Sequence, residues 1–199
     1  MRNKQNKMTR EEIDLARTDI ETTGDLLARA LKLSGLLTTL FRRQGISLIV
    51  VGGSAVEFYT EGSYMSGDID FCRRSIKAPT PRQIHDILVP LGGKCIGRNW
   101  QVCGLFVDIL GIVEIETAKE FTEVETPYGV VKMIPPELAL VERVLFAMDS
   151  QECVASARQM MASALSRPDF DWQEAERLAD LPDFNILKEL RALRDEMAR

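Results

Sequence analysis

Leu48–Phe71 reads LIVVGGSAVEFYTEGSYMSGDIDF, and the order of its parts decides the fold. An apolar run, Leu48 to Val51, breaks on Gly52-Gly53-Ser54. A short helical pattern follows to Tyr59, and the stretch ends on Asp68-Ile69-Asp70-Phe71. That is strand, glycine turn, helix, strand. Glycine between a buried strand and a helix lets backbone N–H groups approach an anion, the helix dipole favours negative charge there, and the Ser54 hydroxyl adds a donor. Neither GxxxxGK[ST] nor GxGxxG is present, so the pair alone reads first as a tight turn. Asp68 and Asp70 lie two apart in a strand and share a face, with Ile69 and Phe71 turned to the core. Two like charges on one face repel, and a divalent cation such as Mg²⁺ would relieve them. The plainer reading is a solvated strand end.

A third carboxylate changes the balance. Asp108 lies in Leu105-Phe106-Val107-Asp108-Ile109-Leu110, a run apolar on both faces except at this position. A charge in such a strand is costly unless it is paired or bound to metal. It is either half of a buried ion pair, with Arg73 for example, or the third ligand of a metal site with Asp68 and Asp70. Two metals held by three carboxylates suit in-line attack on a phosphate.

Working outward, Thr9 with Glu12 forms a capping box before an Ile13/Leu15/Ala16/Ile20 stripe. A stronger helix is expected from Asp25 to Gln44, with Gly45 just past its end. After the core stretch, Thr80-Pro81 opens a helix that Gly92-Gly93 ends. Strands are expected at Lys94–Gly97, Trp100–Leu110, Ile112–Glu116, Phe121–Glu125 and Val130–Ile134. From Pro136 the pattern is helical, with helices near 136–148, 151–165, 171–179 and 184–198. The expectation is three parts: N-terminal helices at 1–45 packing on the core, an α/β core at 46–135, and a C-terminal helical region at 136–199.

The bulk composition narrows the function. The chain has 199 residues, a formal charge of −5 and 45% hydrophobic residues. An acidic balance argues against a broad nucleic-acid-binding surface, while leaving room for a nucleotide or an RNA end. One histidine, His85, excludes His-rich metal sites and disfavours Ser-His-Asp chemistry. Four cysteines without a CxxC pair and without a signal peptide read as reduced and structural, hence a cytoplasmic protein. No run of 18 apolar residues predicts a membrane span. The leucine-rich helices could also meet a protein partner.

Gly-Gly-Ser, then Asp68-Ile69-Asp70-Phe71, then a later Asp in an apolar strand, resembles the polymerase-beta-like nucleotidyltransferase superfamily over about Ile46 to Leu110. Met133-Ile134-Pro135-Pro136-Glu137-Leu138 is similar to the stretch before the C-terminal helices of toxin–antitoxin nucleotidyltransferases of the AbiEii kind. The resemblance implies an α+β fold: a mixed sheet core with flanking helices and a C-terminal helical region. It implies that Gly52, Gly53 and Ser54 bind a nucleoside triphosphate. Asp68, Asp70 and Asp108 would hold Mg²⁺ or Mn²⁺, with Asp108 also helping to deprotonate the acceptor hydroxyl. The reaction would move an NMP from an NTP to a protein, small-molecule or RNA-end hydroxyl and release pyrophosphate. The alternative is a silent module that keeps nucleotide or partner binding without turnover. The toxin-like branch often has a lysine in the helix after the proline, where this chain has Glu142-Arg143. Arg73, Arg74, Lys132 and Arg143 are the candidate phosphate partners.

Overall fold

A computed structural model describes residues 8–74, 78–112 and 120–199. The described residues of Met1–Val50, Gly67–Val113 and Glu123–Lys132 form one compact unit. Those of Val51–Ser66, Glu114–Thr122 and Met133–Arg199 form a second.

The first unit is a sheet with helices. α1 (Arg10–Thr22) begins in the expected capping box: the Glu12 N–H donates to Thr9 Oγ1 at 3.2 Å, and the Thr9 N–H donates to Glu12 Oε2 at 2.6 Å. It buries Ala16 and Ile20 and leaves Leu15 66% exposed. α2 (Leu26–Arg43) is capped by Asp25, which accepts from the Ala28 N–H at 2.7 Å. It buries Leu33, Leu36, Leu37 and Phe41. Gly45 stops it in the left-handed region, at φ +78°. α4 (Pro81–Leu88) starts in a second capping box, from Thr80 to Gln83, and buries Ile87 and Leu88.

The strands are β1 (Leu48–Val50), β2 (Asp68–Arg73), β3 (Lys94–Ile96), β4 (Asn99–Val102), β5 (Leu105–Ile112), β6 (Thr122–Thr126) and β7 (Gly129–Met133). They form one sheet in the order β3-β4-β5-β2-β1-β7-β6. The β1–β2, β3–β4 and β4–β5 pairs are antiparallel, and β2–β5 is parallel. The architecture is α+β with a mixed sheet, as the sequence leads one to expect. Leu48, Ile49, Val50, Ile69, Phe71 and Val107 are all buried.

One strand departs from expectation. Trp100–Leu110 is not continuous but folds back between β4 and β5 at Cys103 (φ +49°) and Gly104 (φ +79°). Two successive residues with positive φ make the tight reversal that suits an antiparallel hairpin. Cys-Gly lacks the Asn or Asp that usually announces such a turn. The strand expected at Ile112–Glu116 lies largely outside the described residues.

The second unit is helical: α3 (Gly52–Tyr59), α5 (Pro136–Asp149), α6 (Gln151–Ser166), α7 (Trp172–Ala179) and α8 (Leu187–Met197). Its apolar interior takes Leu138, Leu140 and Val141 from α5, Met160 and Met161 from α6, Leu178 from α7 and Leu190 from α8. Polar bonds knit it. The buried Tyr59 hydroxyl donates to the Ile134 carbonyl at 2.8 Å and meets Thr122 Oγ1 at 2.7 Å. Burial raises its pKa well above the phenol range. Ser163 Oγ donates to the Tyr59 carbonyl at 2.6 Å, and the Asp171 N–H donates to Glu137 Oε1 at 3.0 Å.

Candidate functional site

The carboxylates come from two parallel strands of the sheet. In the β2–β5 register, Asp68 stands opposite Phe106, Ile69 opposite Val107, and Asp70 opposite Asp108. Paired residues in neighbouring strands share a face, with backbones about 4.8 Å apart. Asp70 and Asp108 are therefore neighbours on one face, and Asp68 stands two residues before Asp70 on the same face. Ile69, Phe71 and Val107, on the other face, are 2%, 0% and 1% exposed, so the strands have one sealed side and one carboxylate side.

Asp108 does not sit in a strand buried on both faces. Phe106 and Leu110, which share its face, are 37% and 44% exposed, and Asp108 is half-buried. The large apolar side chains of that face hide the alternation in the sequence. Asp108 itself was the signal: in an i, i+2 set with Phe106 and Leu110, it marks their face as open. Through the β3–β4 and β4–β5 registers, Lys94 and Gln101 fall on the row of Phe106 and so also belong to the carboxylate face.

The donor set is three carboxylates, all oxygen, the chemistry Mg²⁺ and Mn²⁺ take. Among the described residues, no group of three or more His, Cys, Asp or Glu side chains is gathered so as to hold a metal ion. The strand register places the three carboxylates on one face of the sheet.

The glycine segment belongs to the helical unit. α3 begins at the glycine turn, at Gly52, with Val51 extended as its N-cap and Gly52 at φ +61°. Ser54 Oγ donates to the Val51 carbonyl at 3.2 Å. Gly53 has a packing role, since a Cβ there would lie 2.8 Å from Ser66 Cβ. Ser66 is in turn fixed by Glu57 Oε2, which accepts from its N–H at 3.1 Å and its hydroxyl at 2.9 Å.

The basic residues separate. Lys132 is engaged with Glu123 at 2.6 Å. Arg73 is half-buried at the end of β2, after the irregular register between Phe71 and Arg73, and Arg74 is exposed. Arg143 on α5 is 9% exposed and lies over the Phe146 ring at 5.3 Å. Its Nε is buried without a hydrogen-bond partner among the described residues. Beside it in sequence, burial pushes the Glu142 carboxyl up to about 7, against the lowering effect of Arg143.

Comparison with known proteins then bears on this arrangement. No protein-family model and no curated protein matches the chain. Solved structures do. An antigenic nucleotidyltransferase-like protein from Paracoccidioides brasiliensis matches with TM-score 0.51 and 15% identity over 82% of this chain and 92% of that one. The antibiotic-resistance factor ANT(2'')-Ia matches in its solution structure with TM-score 0.45 and 14% identity, over 83% of this chain and 94% of that one. Its crystal structure in complex with adenylyl-2''-tobramycin matches with TM-score 0.47 and 17% identity, over 83% and 97%. No helix among the described residues is long and apolar enough to cross a membrane. The chain has a nucleotidyltransferase-like fold.

Proposed function

We propose that the chain is a divalent-metal-dependent nucleotidyltransferase that moves an NMP from an NTP to a hydroxyl acceptor. One observation carries the reading: Asp70 and Asp108 are in register on adjacent parallel strands, on the face that Asp68 shares, in a nucleotidyltransferase-like fold. Strands disfavour Asp, and three carboxylates on one strand face offer the all-oxygen ligands a divalent cation takes. Asp68, Asp70 and Asp108 would hold Mg²⁺ or Mn²⁺. When bound, the ion supplies neutralisation of the triphosphate charge and of the leaving pyrophosphate.

The chain's own groups do the rest. Asp108 accepts the proton of the acceptor hydroxyl as its oxygen bonds to the α-phosphorus. The bond from that phosphorus to the bridging oxygen breaks, and pyrophosphate leaves. Gly52, Gly53 and Ser54 cradle the triphosphate through backbone N–H groups at the start of α3. Phe106 and Leu110, exposed beside Asp108, favour an acceptor with an apolar part, a protein or a small molecule over an RNA end. An AbiEii-like toxin–antitoxin role in the cytoplasm is the finer reading, with Arg143 in place of the helix lysine.

Calorimetry with ATP, CTP, GTP and UTP, with and without Mg²⁺, tests the site. Binding of at least one NTP should require Mg²⁺ and vanish in Asp70→Asn. Affinity independent of Mg²⁺ and unchanged in the variant would refute it. One observation favours a binding module without turnover: the Ser54 hydroxyl is engaged with Val51, and Gly53 answers to Ser66 packing. α-Labelled NTPs incubated with the protein and a cell extract separate the two. Transfer of label to any RNA, protein or small product supports the enzyme, and binding without transfer supports the module.

A further inference from the structure

We infer that Glu57 is the positioning residue of the triphosphate cradle, an assignment that rests on the nucleotidyltransferase reading and adds a residue to it. α3 carries one charged side chain, Glu57, and buries it to 9% exposure on a helix that also buries Ala55, Val56 and Tyr59. Burying a carboxylate is costly unless hydrogen bonds meet it. Glu57 Oε2 accepts two from a single residue: the Ser66 N–H at 3.1 Å and the Ser66 hydroxyl at 2.9 Å.

Ser66 is also what Gly53 packs against. A Cβ on Gly53 would come within 2.8 Å of Ser66 Cβ and 3.6 Å of the Tyr64 ring and hydroxyl. The chain at 60–66 is therefore a wall beside the second residue of α3, and all of it lies in the helical unit. Other bonds hold the start and middle of the wall. Thr60 Oγ1 donates to the Val56 carbonyl at 2.8 Å, the Tyr64 N–H donates to Thr60 Oγ1 at 3.3 Å, and Gln159 Nε2 donates to the Ser63 carbonyl at 2.9 Å. Glu57 holds the far end, where the wall meets Gly53.

The helix geometry explains why this residue does so. Gly53 and Glu57 are four apart on α3, so they share a face, and a helical side chain leans toward the N-terminus. The Glu57 carboxylate thus reaches back to the residue that touches Gly53. A backbone cradle binds an anion through N–H groups that are already aimed, and a wall left loose would have to be ordered on binding. A carboxylate that met a triphosphate directly would repel it. Engaged with Ser66, Glu57 acts through that residue and is no ligand itself.

The test is calorimetry on the whole chain with the Mg²⁺ complexes of ATP, CTP, GTP, UTP and tripolyphosphate. The Kd reports the site and the stoichiometry reports the folded fraction. Glu57→Leu should weaken every ligand of the set that the unaltered chain binds by about tenfold, the cost of reordering the released side chains, at full stoichiometry. Glu57→Gln, whose amide oxygen can accept both Ser66 bonds, should restore the affinity. Ser66→Ala, which loses only the hydroxyl bond, should weaken binding less than Glu57→Leu and add nothing when combined with it. An unchanged Kd in Glu57→Leu, whatever its stoichiometry, is the mark of a purely structural carboxylate and overturns the assignment, while Asp70→Asn still decides the nucleotidyltransferase reading. A loss confined to one base, or Glu57→Gln binding as weakly as Glu57→Leu, overturns it as well. If the unaltered chain binds none of the set, the assignment and the reading fall together. If Glu57→Leu does not fold, Ser66→Ala decides, and unchanged affinity there overturns the assignment.

Discussion

Asp70 and Asp108 lie opposite one another in the β2–β5 register. Directly opposed like charges in a sheet cost a fraction of a kcal/mol to about 1 kcal/mol. Asp108→Asn should therefore raise stability in urea by up to about 1 kcal/mol when metal is withheld. The same change should reduce NMP transfer by about a hundredfold or more, on the scale of removing one preorganised charge from a transition state. A carboxylate kept only for structure would lower both.

A second residue has a sign that can be worked out. Burial raises the folded pKa of Glu142 to about 7 from an ordinary value of 4.5. Between those values the folded chain keeps the proton and the unfolded chain has lost it. Stability thus falls as pH rises from about 4.5 to about 7 and stays lower above that. Glu142→Gln should remove this loss, gaining on the order of 2 kcal/mol at pH 8 and nothing at pH 4, as read from urea melts at both pH values. The cysteines divide by the same physics. Cys103 is buried with its thiol pushed up to about 11, whereas Cys95 is exposed. Iodoacetamide at pH 8 should label Cys95 and spare Cys103 in the folded chain, as peptide mapping would show. The sequence exposed Asp68 and Asp70 through their spacing and Asp108 through its apolar neighbours. It could not show that Phe106 and Leu110 stay open, because side-chain type alone does not say which face of a strand is covered.

At the scale of elements, a glycine explains an approach. A Cβ at Gly35, in the middle of α2, would run into Thr126 Oγ1 and lie 3.1 Å from the Gly129 carbonyl. Alanine there gains roughly 1 kcal/mol of helix propensity yet overpacks the contact, which typically costs about 1–3 kcal/mol. Gly35→Ala should be net destabilising in thermal melts. Thr126→Ala, combined with it, should recover part of the loss, and simple additivity of the two changes would deny the contact. The Thr9–Glu12 capping box, the Thr80-Pro81 helix start, the Gly45 stop and the β6–β7 turn were legible because each rests on a short motif with a local mechanism. The β4–β5 reversal was not, because Cys103-Gly104 takes two positive φ angles without the usual turn residues. The opening of α3 at the glycine turn was legible, because a glycine pair between an apolar run and a helical pattern marks the change of backbone.

Across the whole molecule, the order of strand and helix patterns pointed to an α/β core with helices before and after it, and the α+β class with a mixed sheet came from the family resemblance. Sheet order was not legible, since pairing between distant strands leaves no local mark. A ligand that binds only the folded chain stabilises it by about 2.7 kcal/mol at a hundred times its Kd. For a chain of this length that predicts a rise of about 5–10 °C in melting temperature with Mg²⁺ and the preferred NTP. Mg²⁺ alone or NTP alone should give less, and Asp70→Asn should abolish the shift in differential scanning fluorimetry.

The parallel pairing of β2 with β5 also sets a timetable. Parallel neighbours cannot be joined by a hairpin, and here α4, β3 and β4 are made between them. A nascent chain that has cleared the ribosome only as far as Gly104 carries the two aspartates of β2 and nothing for them to face. At about 5–20 residues per second the wait is brief, but it is obligatory. The carboxylate face is acquired at a defined point in synthesis, so fragments that end before β5 should be inert whatever helices they have already formed.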